Sequence, residues 1–168
     1  MSLNLYDVSI PVFIQMLNNL STLLDKGAEF AAKKEFDPVV LVNARLAPDM
    51  FPLSRQIQIA TDAAKGVAAR LTETENPKFD DVETTIPELK ARIAKTIDYL
   101  STFKREQFEG AEKREVVIKT RLRELKFDGQ TYVLHYALAN FYFHLVTAYD
   151  ILRHNGVEIG KPDFLGNR

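Results

Sequence analysis

The sequence predicts an all-α protein, an antiparallel four-helix bundle, with a small β-hairpin before the last helix. Four long segments repeat apolar residues at spacings of three and four, which is typical of a helix with one buried stripe. One long polar connection, residues 72–85, separates the first helical pair from the second. Helices arranged in this way pack as a bundle around one core. At 168 residues we expect a single domain, residues 1–168.

Composition excludes several classes of function. There are no cysteines, which rules out thiol nucleophiles, cysteine-based zinc or iron-sulfur sites, and disulfides. The 22 basic and 23 acidic residues give a net charge of -1, so we expect no binding to nucleic acid or to an anionic membrane surface. The N-terminus lacks the basic start and cleavage site of a secretory signal, which indicates a cytoplasmic protein.

The first half of the chain predicts two long helices. The first covers residues 5–26, with Pro11 in the first turn and Asp7 or Ser9 as the N-cap. A shorter helical piece follows Gly27, and Asp37-Pro38 then starts an apolar connection that packs across one end of the domain. The second long helix covers residues 52–72, where we expect Gly66 to permit close approach of a neighbouring helix.

The second half begins with a capping box. Thr85 and Glu88 have the spacing at which each side chain accepts a hydrogen bond from the other residue's backbone N–H, and the third long helix follows and ends before Gly110. Between Gly110 and Gly129 the apolar period changes to two, in Val116 with Ile118 and Leu125 with Phe127. This period predicts two strands, with the chain reversing at residues 120–123.

The fourth helix is predicted over residues 130–155, with Gly156 in the C-terminal cap. Its first part, residues 131–149, contains no Asp, Glu, Lys or Arg, and this is the one stretch apolar enough to be considered as a membrane span. His135, Asn140 and His144 in that stretch argue against a membrane location. In the tail, Phe164 and Leu165 are expected to fold back on the bundle.

Asn140 and His144 lie four residues apart on an otherwise apolar, inward-facing stripe of the fourth helix. They are either a hydrogen-bonded polar pair satisfied within the core or part of a ligand or metal site between helices. A metal site needs about three protein ligands, yet residues 1–134 contain no histidine. The carboxylates nearest the second helix are Asp49 and Asp62, which are interpreted more simply as a helix-start residue and a solvated surface charge.

Two runs carry a family resemblance: LAPDMFPLSRQIQIATDAAK and NFYFHLVTAYDILRHNGVEIGKPDFLG. With these runs the whole chain resembles an uncharacterised branch of the DinB/YfiT-like superfamily. The resemblance implies a four-helix bundle that is often dimeric. It also implies, for many members, a divalent metal held by one histidine on the second helix and two, four residues apart, on the fourth. Some members are metal-dependent transferases or isomerases that use low-molecular-weight thiols.

Carried onto this chain, that motif is incomplete. His144 matches the second histidine of the fourth-helix pair, and Asn140 occupies the position of the first. The second-helix histidine falls within residues 53–58, which read Leu, Ser, Arg, Gln, Ile and Gln. The resemblance therefore implies a degenerate metal site in which His144 alone remains as a candidate ligand, and we expect no metal cofactor.

Three hypotheses follow for function. The first is a metal-free bundle that binds a small molecule in a polar pocket formed by Asn140, His144, Tyr149 and Arg55. The second is an enzyme, related to the transferases or isomerases, in which His144 is a general acid or base or a remaining metal ligand. The third is an interaction protein that forms a homodimer through apolar helix faces. An open pocket beside His144 would favour the first two, and a closed core the third.

Overall fold

A computed structural model describes residues 4–119 and 123–166. The described chain is mostly helical, with one two-stranded antiparallel sheet. The helices and strands, in chain order, are α1 Ile10–Lys33, α2 Val39–Asn43, α3 Leu53–Thr72, α4 Ile86–Ser101, β1 Glu115–Lys119, β2 Glu124–Asp128, α5 Gly129–Thr131, a π-helical segment Tyr132–Ala137, α6 Leu138–His154 and α7 Lys161–Leu165.

Helix α3 occupies the centre of the fold. It packs against α4 on one side and against α6 on another, and α1 packs against α4 and α7. Most of its residues are buried, including the polar side chains of Gln56, Gln58, Thr61 and Lys65. These polar groups on α3 therefore face other parts of the protein, and α3 supplies Arg55, Gln56 and Arg70 to the candidate site described below.

Helix α1 is continuous, so the predicted break after Gly27 is wrong. Ser9 is the N-cap residue and Pro11 lies in the first turn, as expected, but the helix runs on to Lys33. A Cβ atom at Gly27 would lie 3.2 Å from the Leu152 side chain, so this glycine permits close approach of α6. Packing against a neighbouring helix, rather than a helix end, explains the glycine.

Helix α4 confirms the predicted capping box and ends before Gly110, as predicted. The Glu88 backbone N–H donates to the Thr85 hydroxyl at 3.4 Å, and the Thr85 backbone N–H donates to the Glu88 carboxylate at 3.0 Å. The helix ends at Ser101, well before Gly110, and two short 3-10 turns follow, Arg105–Phe108 and Ala111–Lys113. The first of these turns buries Phe108 in the core.

The predicted hairpin is present. Strands β1 and β2 pair antiparallel, with Val116 opposite Phe127 and Ile118 opposite Leu125. The predicted reversal at residues 120–123 falls largely on residues 120–122, which lie outside the described residues. Gly129 follows directly after β2, where a Cβ atom would lie 1.9 Å from the backbone oxygen of Ala111. A side chain at position 129 would thus push the hairpin away from the adjoining turn.

The last helix differs from the prediction in one respect, which is the π-helical segment Tyr132–Ala137 near its start. Its end is as predicted, because Gly156 follows with a left-handed φ of 98°. The tail then forms α7 and folds back on α1, where the Asn19 side-chain amide donates to the Phe164 backbone oxygen at 3.1 Å. Leu165 remains 52% exposed, so only Phe164 packs as expected.

Among the described helices, none combines the length and the apolar character that crossing a bilayer requires.

Candidate functional site

His144 lies on α6 and faces α3. Its side chain is 8% exposed, and Nδ1 lies 2.7 Å from Oε1 of Gln56. The Gln56 amide nitrogen donates to the backbone oxygen of Phe51 at 3.0 Å, which orients the amide so that its oxygen faces the imidazole. Because an amide oxygen only accepts, Nδ1 of His144 carries the proton and Nε2 holds a lone pair.

The surroundings of His144 favour the neutral imidazole. Burial lowers the pKa of His144 from its ordinary value, and the positive charge of Arg55 lowers it further. Arg55 itself forms an ion pair with Asp81 and donates to the Gln58 side chain at 3.2 Å. His144 is therefore a neutral base at physiological pH, and the nearby cation is already bound by the protein.

Asn140, one turn before His144, lines a cleft of about 210 Å³. The cleft lies between α3 and the start of the last helix, and β1 supplies one further wall residue. Its lining residues are Ile59, Asp62, Ala63, Arg70, Ile118, Tyr132, Tyr136, Ala137 and Asn140. The structure thus places Asn140 in an open cleft beside the buried bond between His144 and Gln56.

Tyr149, the fourth residue of the expected pocket, faces a different neighbour. Its ring packs edge-on against Phe164 of α7, with the ring centroids 5.8 Å apart. His144 and Arg55 come together at the start of α3, Asn140 lines the adjoining cleft, and Tyr149 packs toward α7. His135 and His154 are both exposed.

The far end of the cleft contains a pair of hydrogen-bond donors. Nη1 of Arg70 donates to the Tyr132 hydroxyl oxygen at 3.1 Å. Tyr132 is 2% exposed; burial raises the pKa of its hydroxyl, and the charge of Arg70 partly opposes this rise. The hydroxyl is therefore protonated at neutral pH and has a proton to donate.

The π-helical segment shapes this end of the cleft. It places Tyr132 and Tyr136 side by side, with ring centroids 6.2 Å apart and planes inclined by 25°. Phe127 of β2 packs against Tyr136, with centroids 5.3 Å apart. Short π-helical segments within helices are frequent at functional sites, and this one forms an aromatic wall.

Gly66 has a different role from the one predicted. A Cβ atom there would lie 2.1 Å from Nη1 of Arg70, one turn further along α3. The missing side chain makes room for a guanidinium group that folds back over the helix, whereas we expected it to admit a neighbouring helix. Gly66 therefore positions Arg70 at the Tyr132 hydroxyl.

The face of α3 that packs against α4 adjoins a cluster of charges around Arg92 of α4, whose side chain is 1% exposed. Its guanidinium contacts Asp62 at 2.9 Å, Asp81 at 3.1 Å and Glu83 at 3.0 Å, and donates to the Thr61 hydroxyl at 2.8 Å. The Asp62 side chain is 44% exposed, as expected of a surface charge, but its carboxylate also pairs with two buried cations, which the sequence did not indicate.

Lys65 completes the cluster. Its ammonium group lies 3.0 Å from Asp62, donates to the backbone oxygen of Pro77 at 2.7 Å and sits 3.6 Å from the centre of the Phe79 ring. Burial lowers the pKa of Lys65, while its hydrogen bond to Asp62 raises it. Together with Arg92, Lys65 anchors the long polar connection to α3 and α4.

The side chains present do not fit a metal ion. Within residues 4–119 and 123–166, no three His, Cys, Asp or Glu side chains are grouped closely enough to hold one. The Gln56 oxygen already accepts a proton from His144, Asp62 is held by two cations, and Asp49 is exposed elsewhere. Asn140 would be a weak metal ligand, and His144 is the single imidazole beside it.

Sequence reasoning missed Gln56, Arg70, Tyr132 and Arg92 as members of the site. A signal existed for Gln56, which lies within the window in which the resemblance places a ligand. A weaker signal existed for Arg70, since a glycine in a helix interior four residues before an arginine has an unexplained cost in stability. Tyr132 and Arg92 had no signal of their own, because each depends on a partner distant in sequence.

Comparison with known proteins identifies the family. A family model described as a domain of unknown function, DUF1993, matches residues 5–165. A crystal structure of a DinB family member protein from Shewanella denitrificans is similar at 45% identity, covering 98% of this chain and 93% of that one, with a TM-score of 0.89. No curated protein matches. The chain therefore belongs to the DUF1993 family and, as its resemblance to the DinB/YfiT-like superfamily predicts, represents an uncharacterised DinB-like branch.

Proposed function

We propose that this protein is a metal-free, small-molecule-binding member of the DinB-like branch, built as an antiparallel four-helix bundle. The observation that carries the proposal is the cleft between α3 and the last helix, which is lined by Asn140 and, at its far end, by Arg70 and Tyr132 with unused hydrogen-bonding capacity. The DinB-type metal site is degenerate in this proposal. Gln56 stands where the second-helix histidine is expected, and it bonds His144 directly.

The size of the cleft limits the ligand. Its volume of about 210 Å³ is below the roughly 300 to 1,000 Å³ of pockets that take drug-sized molecules. Apolar walls contributed by Ile59, Ala63 and Ile118 favour an organic molecule over a hydrated ion. We therefore infer a ligand of a few to about a dozen heavy atoms, with polar groups at one end.

A fragment screen by two-dimensional NMR tests the proposal. Neutral and charged fragments should perturb the Asn140 side-chain amide, and Ala63→Trp should abolish these shifts because the indole fills the cleft. Ala94→Trp, at an exposed position of α4, is the matched control and should leave them unchanged. Fragments that perturb only other surfaces, or that still bind Ala63→Trp, would contradict the proposal.

A second candidate function is an enzyme in which His144 is a general base. The observation in its favour is the neutral imidazole whose Nδ1 proton is held by Gln56, which leaves a lone pair on Nε2. Diethyl pyrocarbonate acylates unprotonated imidazole and would test whether that lone pair is accessible. Mass spectrometry of the native protein should show acylated His144, with the exposed His135 as internal reference; acylation of His135 alone would exclude this role.

We also propose that the protein is a cytoplasmic homodimer that packs through α6. Phe143 and Val146, three residues apart on α6, are 57% and 42% exposed. Two large apolar side chains adjacent on one helix face are typical of an interface. Light scattering during size-exclusion chromatography should give the dimer mass for the native chain and the monomer mass for Val146→Asp; a monomeric native chain would refute the dimer.

A further inference from the structure

Two side chains in the cleft, Arg70 and Tyr132, keep hydrogen-bond donors that no acceptor among the described residues takes. Arg70 uses Nη1 for the Tyr132 hydroxyl, and no described carboxylate pairs with this guanidinium. The Tyr132 hydroxyl accepts that bond, and none of the hydrogen bonds among the described residues takes its own proton. Nη1 of Arg70 and the Tyr132 hydroxyl lie 3.1 Å apart and both side chains line the cleft, so the remaining donors of the two groups are neighbours there.

Such a pair matches an acceptor with two oxygens. Guanidinium groups bind carboxylates with parallel N–H bonds, and hydrogen bonds to a charged acceptor are roughly twice as strong as neutral ones. The buried position of Tyr132 strengthens the bond further, since it is sheltered from water. The chemistry of this end of the cleft therefore selects an anion with planar oxygens.

Asp62, the one carboxylate among the described residues that line the cleft, does not oppose an anion. Asp62 shares its Oδ1 with Arg92 at 2.9 Å and with Lys65 at 3.0 Å, so two buried cations balance its charge. Arg70 lies two turns further along the same helix and adds a third positive charge without a described counterion. The electrostatic potential at the Arg70 end is accordingly positive.

The rest of the cleft provides a site for a flat apolar body. The Tyr136 ring, stacked beside Tyr132, forms one wall, and the side chains of Ile59, Ala63 and Ile118 form others. A benzene ring with one carboxylate is of the size that about 210 Å³ admits.

We propose that Arg70 and Tyr132 anchor the carboxylate of a small monocarboxylic acid whose flat, apolar body lies in the cleft along Tyr136. The inference rests on the proposed function, because it assigns the ligand class of the same cleft. It adds the charge of the ligand, its orientation and the two residues that recognise it. Gly66 belongs to this anchor indirectly, since it makes room for the guanidinium group.

Benzoate and its neutral analogue benzamide are the probes for this inference, with binding measured by NMR titration of the Asn140 side-chain amide. The native protein should bind benzoate about tenfold more tightly than benzamide, as expected for one charge-assisted hydrogen bond. Tyr132→Phe keeps the ring and should weaken benzoate binding about tenfold, while benzamide changes less. Arg70→Gln should remove the preference for benzoate, and Arg153→Gln, an exposed cation on α6, is the matched control.

The outcomes separate this inference from the proposed function. Equal binding of benzoate and benzamide, with shifts at Asn140, would overturn the carboxylate anchor and leave the cleft as a ligand site. Absence of shifts at Asn140 with either probe and with the neutral fragments would overturn both. Circular dichroism and thermal unfolding of each variant establish that it is folded, and Tyr132→Phe decides the question if Arg70→Gln does not fold.

Discussion

The two sides of α3 handle polar groups in opposite ways. Toward α4, the cations of Arg92 and Lys65 are surrounded by carboxylates, backbone oxygens and an aromatic ring. Toward the last helix, the described residues give His144 one hydrogen-bond partner, Gln56, and Arg70 and Tyr132 bond to each other. The first side has little capacity left for a ligand, whereas the second has donors and a lone pair to offer.

This difference separates polar groups that stabilise the fold from polar groups that can bind a ligand. Buried charges are tolerated when each has partners that offset the cost of removing it from water. Asp62 belongs to both sides, because it lines the cleft while its charge is balanced by the α4 cluster. The side of α3 that faces α4 thereby holds the helix and the polar connection in place. This fixes the geometry of the side that faces the last helix.

The largest effect is expected from Arg92→Met. Removing the guanidinium leaves Asp62, Asp81 and Glu83 close together without their shared cation, which should lower the free energy of unfolding by about 3 kcal/mol. Urea denaturation followed by circular dichroism measures this change. Arg105→Met is the control, since Arg105 forms an exposed ion pair with Asp7, and it should hardly move the midpoint. Similar midpoints for the two variants would show that the Arg92 cluster does not hold the fold.

A smaller loss is expected from Gln56→Leu. The change leaves the Nδ1 proton of His144 without an acceptor in a buried position, which should cost about 1 to 3 kcal/mol. The double variant Gln56→Leu/His144→Leu removes both partners and should recover part of this loss. Urea denaturation of both single variants and the double variant gives the coupling; a double variant whose loss equals the sum of the single losses would mean that the bond contributes nothing specific.

The pH dependence of stability tests the environment of His144. Its pKa is lowered in the folded protein, so the unfolded chain takes up a proton first as the pH falls. The stability contributed by the neutral imidazole is present above about pH 6.5 and is lost below it, down to the folded pKa. His144→Gln should reduce the change of the urea midpoint with pH between about pH 7.5 and 5.5. His135→Gln, at an exposed position, should leave the pH dependence of the midpoint as it is in the native protein. Parallel slopes for all three proteins would contradict this account.

The smallest change in stability is expected from Gly66→Ala. Alanine favours the helix by about 1 kcal/mol, but its Cβ displaces the Arg70 guanidinium, whose lost bond to Tyr132 costs about as much. The midpoint temperature of thermal unfolding should therefore change little. The affinity for benzoate should fall about as much as it does in Tyr132→Phe. Unchanged benzoate binding would show that the position of Arg70 does not depend on Gly66.

The sequence predicted the parts of the fold that depend on local signals. Apolar periodicity located α3 and the last helix, the Thr85 and Glu88 spacing located the start of α4, and the change of period located the hairpin. The break predicted at Gly27 failed because a glycine has the same sequence signal whether it ends a helix or admits a neighbour. Only the contact with Leu152 distinguishes the two.

The candidate site was predictable in part for the same reason. Asn140 and His144 share one helix, so their spacing alone placed them on an inward face. The bond of His144 to Gln56 and the bond of Arg70 to Tyr132 are determined by how α3 packs against the last helix, and no local sequence pattern predicts either of them. The exposure of Asp62 was predictable, but its pairing was not, because its cations lie on α4 and one turn along α3 and come together only in the folded structure.

Metal content tests the central claim, that this protein is metal-free, most directly. Elemental analysis of the native protein after dialysis against zinc and nickel should show far less than one ion per chain. Gln56→His/Asn140→His restores the three-histidine pattern implied by the DinB resemblance and should bind about one ion per chain. Gln58→His/Asn140→His is the control, because the Gln58 side chain bonds Glu83 rather than His144. About one ion per native chain, lost in His144→Ala, would contradict the account.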